Sequence, residues 1–175
     1  TLVGNGMRVL VSELSGRGNI THKLEDLGIA LSPEEVAAVA QQLKDLESQG
    51  FQYEGADGSF ELLVRRSRPD YQPPFEILDF LVLVEKRSGI EMLAEATVKL
   101  RVHDRVMHTA SEGDGPVNAL DSAMRKALTP LYPQLERIQL TDYKVRILDE
   151  KAATAARTRV LVDASDGEHS WTTVG

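Results

Sequence analysis

The sequence contains no cysteine. That absence excludes a disulfide framework, a thiolate nucleophile and a cysteine zinc site. No apolar run approaches the roughly 18 residues of a membrane-spanning helix, so no membrane partner is expected. Positive charge is also scarce: 20 Lys and Arg stand against 27 Asp and Glu, for a formal net charge of -7. A nucleic-acid binder ordinarily presents a basic face, so no nucleic-acid partner is expected either. The N-terminus lacks the pattern of a signal peptide, and a cytoplasmic location is the expectation. No His-x-His occurs among His22, His103, His108 and His169. No Gly-x-Ser-x-Gly elbow accompanies the serines. Gly16-Arg17-Gly18 lacks the lysine and the spacing of a phosphate-binding loop. No catalytic residue and no metal ligand is therefore assigned. The chain opens at Thr1 without a methionine, straight into ordinary sequence, and reads as a piece of a longer protein.

What is present fits a folded protein. The 175 residues are 42% apolar and 27% charged, enough for one medium domain or two small ones. The proline-rich segment Arg68-Pro69-Asp70-Tyr71-Gln72-Pro73-Pro74 is the clear boundary, because proline cannot donate to a helix or a ladder. Before it the apolar period is mostly helical; after it the period is mostly two. The expected class is α+β: a small helical linker over residues 1–68, then a duplicated βββα domain with antiparallel sheet over residues 75–175.

In the first part, Arg8 to Leu14 reads as extended. Asn19 is placed as the cap of a first helix carrying Ile20, Leu24 and Leu27, with Gly28 as its left-handed stop. Ser32-Pro33-Glu34-Glu35 is a capping box with proline at the first helical position. Val36, Val39, Leu43 and Leu46 follow as an apolar stripe that ends before Gly50. A third helix is expected around Phe60, Leu63 and Val64, after a turn at Gly55-Ala56-Asp57-Gly58.

In the second part, the dense apolar run Phe75 to Lys86 predicts a buried strand. Ala94, Ala96, Val98, Leu100 and Val102 alternate with polar residues, the pattern of a half-buried antiparallel strand. Asp104-Arg105 is the expected connection to a return strand over Val106 to Ser111, with His103 and His108 at the surface. After Gly113-Asp114-Gly115-Pro116 a helix is expected, with Val117, Leu120, Met124, Ala127 and Leu131 on its apolar face. Strands over Ile138–Leu148 and Ala156–Ala164, the Asp166-Gly167 turn and a strand over His169–Val174 complete the chain. The order strand, strand, strand, Gly-rich turn, helix thus occurs once in full and a second time as far as Gly175, placed level with Gly113 or Gly115. This reads as an internal repeat whose second helix is missing from the chain, although any two hairpins share some likeness.

Five segments in order carry a resemblance to a known family. Val9-Leu10-Val11-Ser12-Glu13-Leu14-Ser15-Gly16-Arg17-Gly18-Asn19 resembles the start of the linker in citramalate synthases of the 2-isopropylmalate synthase superfamily. Gln52-Tyr53-Glu54-Gly55-Ala56-Asp57-Gly58-Ser59-Phe60-Glu61-Leu62-Leu63 resembles a second linker signature of that branch. Glu112-Gly113-Asp114-Gly115-Pro116-Val117-Asn118-Ala119-Leu120 is similar to the Gly-x-Gly-Pro turn of the LeuA-type regulatory domain. Leu140-Thr141-Asp142-Tyr143-Lys144-Val145-Arg146 and Trp171-Thr172-Thr173-Val174-Gly175 resemble that domain's second half. Leu14 stands where many isopropylmalate synthases carry a histidine, which favours the citramalate-like branch.

The resemblance implies a parent enzyme whose TIM barrel, with a divalent metal, condenses acetyl-CoA with a 2-oxo acid, pyruvate for a citramalate synthase. It implies a C-terminal domain of two βββα units that forms a homodimer, binds a branched-chain amino acid (isoleucine favoured) as feedback inhibitor, and acts on its own barrel. The chain is shorter than the roughly 250 residues of such a barrel, so no cofactor is expected here. On this reading Gly113, Asp114, Gly115 and Pro116 lie in the effector pocket, because backbone N–H groups at a helix start can receive a carboxylate. Asp114 would meet the ammonium group, and Val117 or Ala119 would line the apolar end. Asp142 and Tyr143 would face the pocket from the second unit. The plainer readings also stand: a strand-to-helix turn that uses glycine for its dihedrals, a turn acid and a packing aromatic.

Overall fold

The computed structural model describes residues 17–53, 55–86, 88 and 92–175. The extended segment expected over Arg8–Leu14 lies outside them. Among the described residues the fold combines four α-helices with two three-stranded antiparallel sheets. The chain divides into two compact units, one containing residues up to Tyr71 together with Gln139–Gly175, the other Gln72–Ile138.

In the first unit, α1 (Arg17–Asp26), α2 (Pro33–Ser48) and α3 (Asp57–Arg66) surround one core. Asn19 lies inside α1 rather than ahead of it, so it is not the cap; a capping residue must sit outside the helical conformation. Gly28 takes φ +66° and closes α1, as its freedom from a Cβ allows. The start of α2 is the capping box. Ser32 Oγ accepts from the Glu35 N–H at 3.2 Å, and Glu35 Oε2 accepts from the Ser32 N–H at 2.7 Å. Ile20, Leu24, Val39, Leu43, Tyr53, Phe60, Leu63 and Val64 are buried together, with Val36 and Leu46 partly buried against them. The sheet of this unit is β4 (Gln139–Ile147), β5 (Thr158–Ser165) and β6 (Ser170–Val174), in that order. Edge strand β6 docks on α3: the Val174 N–H donates to Ser59 Oγ at 2.9 Å, and Val174 packs on the helical core. The other anchor is the α2 C-terminus. Arg157 Nη1 donates to the Gln49 carbonyl at 3.1 Å and Arg159 Nη1 to that of Gly50 at 3.4 Å. Guanidinium groups suit the negative end of the helix dipole.

In the second unit, β1 (Glu76–Glu85), β2 (Leu93–Val102) and β3 (Arg105–Gly113) form a meander, and α4 (Pro116–Leu128) packs across it. The alternation in β2 holds residue for residue: Ala94, Ala96, Val98, Leu100 and Val102 are buried, while Lys99 and Arg101 are exposed. The hairpin loop is His103-Asp104, one residue earlier than expected, with His103 at φ +51°.

Two further sequence expectations are corrected. The apolar run in β1 is a strand but not a buried one: Phe80 is 58%, Leu81 65%, Leu83 52% and Val84 47% exposed. Two causes combine. Phe80 and Val84 share the α4 face, opposite Val98 and Ala94, but β1 is an edge strand and α4 lies chiefly over β2 and β3; Leu81 and Leu83, opposite Thr97 and Glu95, are on the face that α4 does not cover. The apolar face of α4 is also different. Its buried residues are Ala119, Ala123, Ala127 and Leu128, with Leu120 and Met124 partly buried; Val117 is exposed in the first turn and Leu131 lies beyond the helix. Alanines at four-residue spacing allow a close approach to the small residues Ala94 and Ala96 of β2. The approach is tied by Thr109 Oγ1, which donates to the Ala123 carbonyl at 2.8 Å.

That closeness dictates Gly113. A Cβ there would lie 2.5 Å from the backbone nitrogen of Ala119 and 2.8 Å from its Cα, whereas one on Gly115 would meet nothing within 4 Å. Gly113→Ala is therefore expected to cost on the order of 1–3 kcal/mol, as overpacking against backbone does, with Gly115→Ala far milder. Chemical denaturation of the two variants side by side checks this. In the same assay Ser32→Ala is expected to cost about 1 kcal/mol through loss of the cap.

Candidate functional site

β3 delivers the chain to Gly113, and α4 begins three residues later. Gly115 is the N-cap, with extended backbone and no side-chain capping bond. Pro116 has no N–H, and the first helical bond runs from the Ala119 N–H to the Gly115 carbonyl at 2.9 Å. The N–H groups of Val117 and Asn118 thus precede the helical ladder, at the positive end of the dipole. Asp114, Pro116 and Val117 are exposed beside them, and Ala119 is wholly buried in the core below. Asn118 belongs to this turn as well: its Oδ1 accepts from the Asp114 N–H at 3.1 Å. Sequence reasoning passed over Asn118, though an Asx side chain two residues after a helix-opening proline was the available signal.

Asp142 and Tyr143 belong to the other unit, adjacent on β4 just after a register shift between Leu140 and Asp142. As neighbours on a strand they point to opposite faces. Tyr143 is half-exposed on the face that also carries Val145 and Ile147. Asp142 lies on the polar face, where Lys144 Nζ is 2.9 Å from its carboxylate and 3.4 Å from that of Asp163. Thr172 Oγ1 donates to Asp163 Oδ1 at 2.6 Å. The Thr172 bond, aided by Lys144, holds the Asp163 carboxyl below the usual carboxylate range against the opposing effect of burial. The two acids hold the Lys144 ammonium above its usual value. By linkage, the Asp163 contribution to stability is present above the ordinary aspartate range and fades as pH falls through its lowered value.

Farther along the same polar face lies a basic cleft of about 270 Å³, lined by Gln52, Lys144, Val145, Arg146, Arg159 and Leu161. Arg146 and Arg159 are directly opposite each other across β4 and β5. No expectation from sequence named this cleft. Its signal was positive charge at two-residue spacing, Lys144 with Arg146 in β4 and Arg157, just before β5, with Arg159 in it. Among the described residues, no group of three or more His, Cys, Asp or Glu comes together as a metal set. No helix among them is long and apolar enough to cross a membrane.

Comparison with known proteins adds the family. Residues 54–175 match the model of the LeuA allosteric (dimerisation) domain. Over 99% of its length the chain is 45% identical to an (R)-citramalate synthase of Geobacter sulfurreducens, covering 34% of that protein. It is 49% identical to one of Synechocystis sp., covering 99% of this chain and 33% of the relative. A 2-isopropylmalate synthase of Aquifex aeolicus is 29% identical over 89% of this chain and 28% of its own length. The chain spans about a third of the length of the curated relatives it matches. Its sequence order and its family match agree: the chain belongs to the LeuA allosteric (dimerisation) domain family.

Proposed function

We propose that the chain is the linker and regulatory region of a citramalate synthase-like acyltransferase, and that it dimerises and binds a branched-chain amino acid, isoleucine foremost, as feedback inhibitor. The observation that carries this reading is the end-to-end similarity to (R)-citramalate synthases at 44–49% identity over nearly the whole chain. The catalytic barrel, with its divalent metal and its acetyl-CoA and pyruvate sites, belongs to the remainder of such an enzyme. The described residues supply no metal set of their own, and the chain alone is expected not to catalyse.

Residues 1–68 act as linker and residues 75–175 as a regulatory domain of two βββα units. The two sheets support the duplication. Each is a consecutive three-stranded meander. Each first strand has its register shift at the same place, between Ile77 and Asp79 in β1 and between Leu140 and Asp142 in β4, followed by Phe80 and Tyr143. In this correspondence Gly175, which exchanges both backbone bonds with Val160, matches Ser111 rather than Gly113 or Gly115. Tyr143, Val145 and Ile147 then occupy the face that α4 adjoins in the first copy, and a second helix beyond Gly175 is the matching cover.

The proposed effector site draws on Gly113, Asp114, Gly115, Pro116, Val117 and Ala119, all of the second unit; Asp142 and Tyr143, on opposite faces of β4 in the first unit, are left out of it. The uncapped N–H groups of Val117 and Asn118 suit a carboxylate, the exposed Asp114 suits an ammonium, and exposed Val117 offers an apolar contact. Ala119 serves from beneath by holding the turn. Regulation is a population shift: the amino acid binds best to one arrangement of the dimer and so biases the barrel through the linker. Dimerisation without an effector is the second reading, favoured by the exposed apolar residues of β1.

Calorimetric titration with isoleucine, leucine and valine separates the two. Selective heat with one of them is expected. Silence from all three, repeated on a chain extended past Gly175, would leave a structural module. Leu81→Arg is expected to shift sedimentation toward monomer without loss of the folded far-ultraviolet spectrum; an unchanged dimer would remove β1 from the interface.

A further inference from the structure

The basic cleft on the polar face of the second sheet has no part in the effector reading, and its charges are poorly explained by the fold. Arg146 and Arg159 are direct cross-strand neighbours, and like charges so placed repel. Neither makes an ion pair with a carboxylate among the described residues. Arg159 makes one long bond to the Gly50 carbonyl, and Arg146 is exposed. Nearby acids are engaged or turned elsewhere: Asp142 and Asp163 hold Lys144. Glu47 lines the adjoining cleft with Arg157 and Arg159, but its carboxyl is raised by burial rather than lowered by either arginine. In a chain of net charge -7, two abutting guanidinium groups without a carboxylate partner among the described residues are the positive charge of this concavity, since Lys144 is already held by two acids.

We propose that this cleft is an anion site for a ligand bearing two linked phosphoryl groups. One carboxylate saturates one guanidinium fork; two forks on adjacent strands call for more acceptor oxygens than a single carboxylate carries. The volume of about 270 Å³ exceeds what a lone oxyanion fills, given that a water takes about 30 Å³. Arg146 and Arg159 bind the phosphoryl oxygens, in a cleft that Gln52 and Lys144 also line. Binding removes the repulsion between the arginines, so the ligand also stabilises the pairing of β4 with β5.

The test is calorimetry and thermal melting of the 175-residue chain with sodium pyrophosphate, against sodium chloride at matched ionic strength. Saturable binding is expected, together with a rise in melting temperature beyond that given by chloride. Arg146→Gln is expected to weaken pyrophosphate binding by about tenfold, the loss of one charge-assisted bond. Without anion at low salt it should melt at or above the parent, because it removes repulsion and no bond. Adenosine diphosphate distinguishes the source: tighter binding than pyrophosphate identifies a nucleoside diphosphate, equal or weaker binding the inorganic ion. A pyrophosphate effect no larger than that of chloride, or one that Arg146→Gln leaves intact, overturns the proposal.

Discussion

The close seat of α4 on β2 is the contact from which the second unit follows. Ala119, Ala123 and Ala127 bury themselves with Ala94, Ala96, Val98 and Leu100. Small side chains on both surfaces bring helix and sheet near each other, so dispersion contacts form along the whole interface rather than at a few large side chains. The approach leaves no room for a side chain on Gly113, which fixes the turn. It also centres the helix on β2 and β3 and leaves β1 at the margin.

That margin has consequences for function. β1 carries Phe80, Leu81, Leu83 and Val84 to solvent, and β4 does the same with Tyr143, Val145 and Ile147. On β1 these residues alternate between the two faces, Phe80 with Val84 and Leu81 with Leu83; exposed apolar side chains on an edge strand are costly to leave in water and prone to pairing. The proposed dimerisation would give this exposure a reason, by covering the exposed side chains of β1. In the first unit the two edges differ: β6 is docked on α3 through Ser59, while β4 is exposed along its length, and the central strand β5 is tied at its start by Arg157 and Arg159 to the carbonyls at the close of α2.

Local chemistry was legible in the sequence wherever it acts within a few residues. The Ser32–Glu35 box, the stop at Gly28, the alternation of β2 and the Asp166-Gly167 turn each follow from short-range sterics and hydrogen bonding. Burial was less legible. The run through β1 has core composition, but its exposure depends on which strand lies at the edge, a property of topology. The α4 face was misread because large residues such as Val117 and Leu131 carry more hydrophobicity, while the interface was selected for closeness and took alanines. Asn19 failed as a cap because the helix begins upstream of it. At the candidate site, the turn itself could be read from Gly and Pro. Asn118 left a signal in its place after the helix-opening proline, but that its side chain bonds Asp114, and that Arg146 faces Arg159, depend on the turn's fold and the strand register.

On the proposed reading, an amino acid bound at the turn between β3 and α4 stabilises a dimer formed through β1. Hydrogen–deuterium exchange across the chain, at a concentration that populates the dimer, tests it most directly. Isoleucine is expected to slow exchange at the amides of Asp114, Gly115, Val117 and Asn118 and of β1 together. Unchanged exchange at both segments under saturating isoleucine would contradict the account.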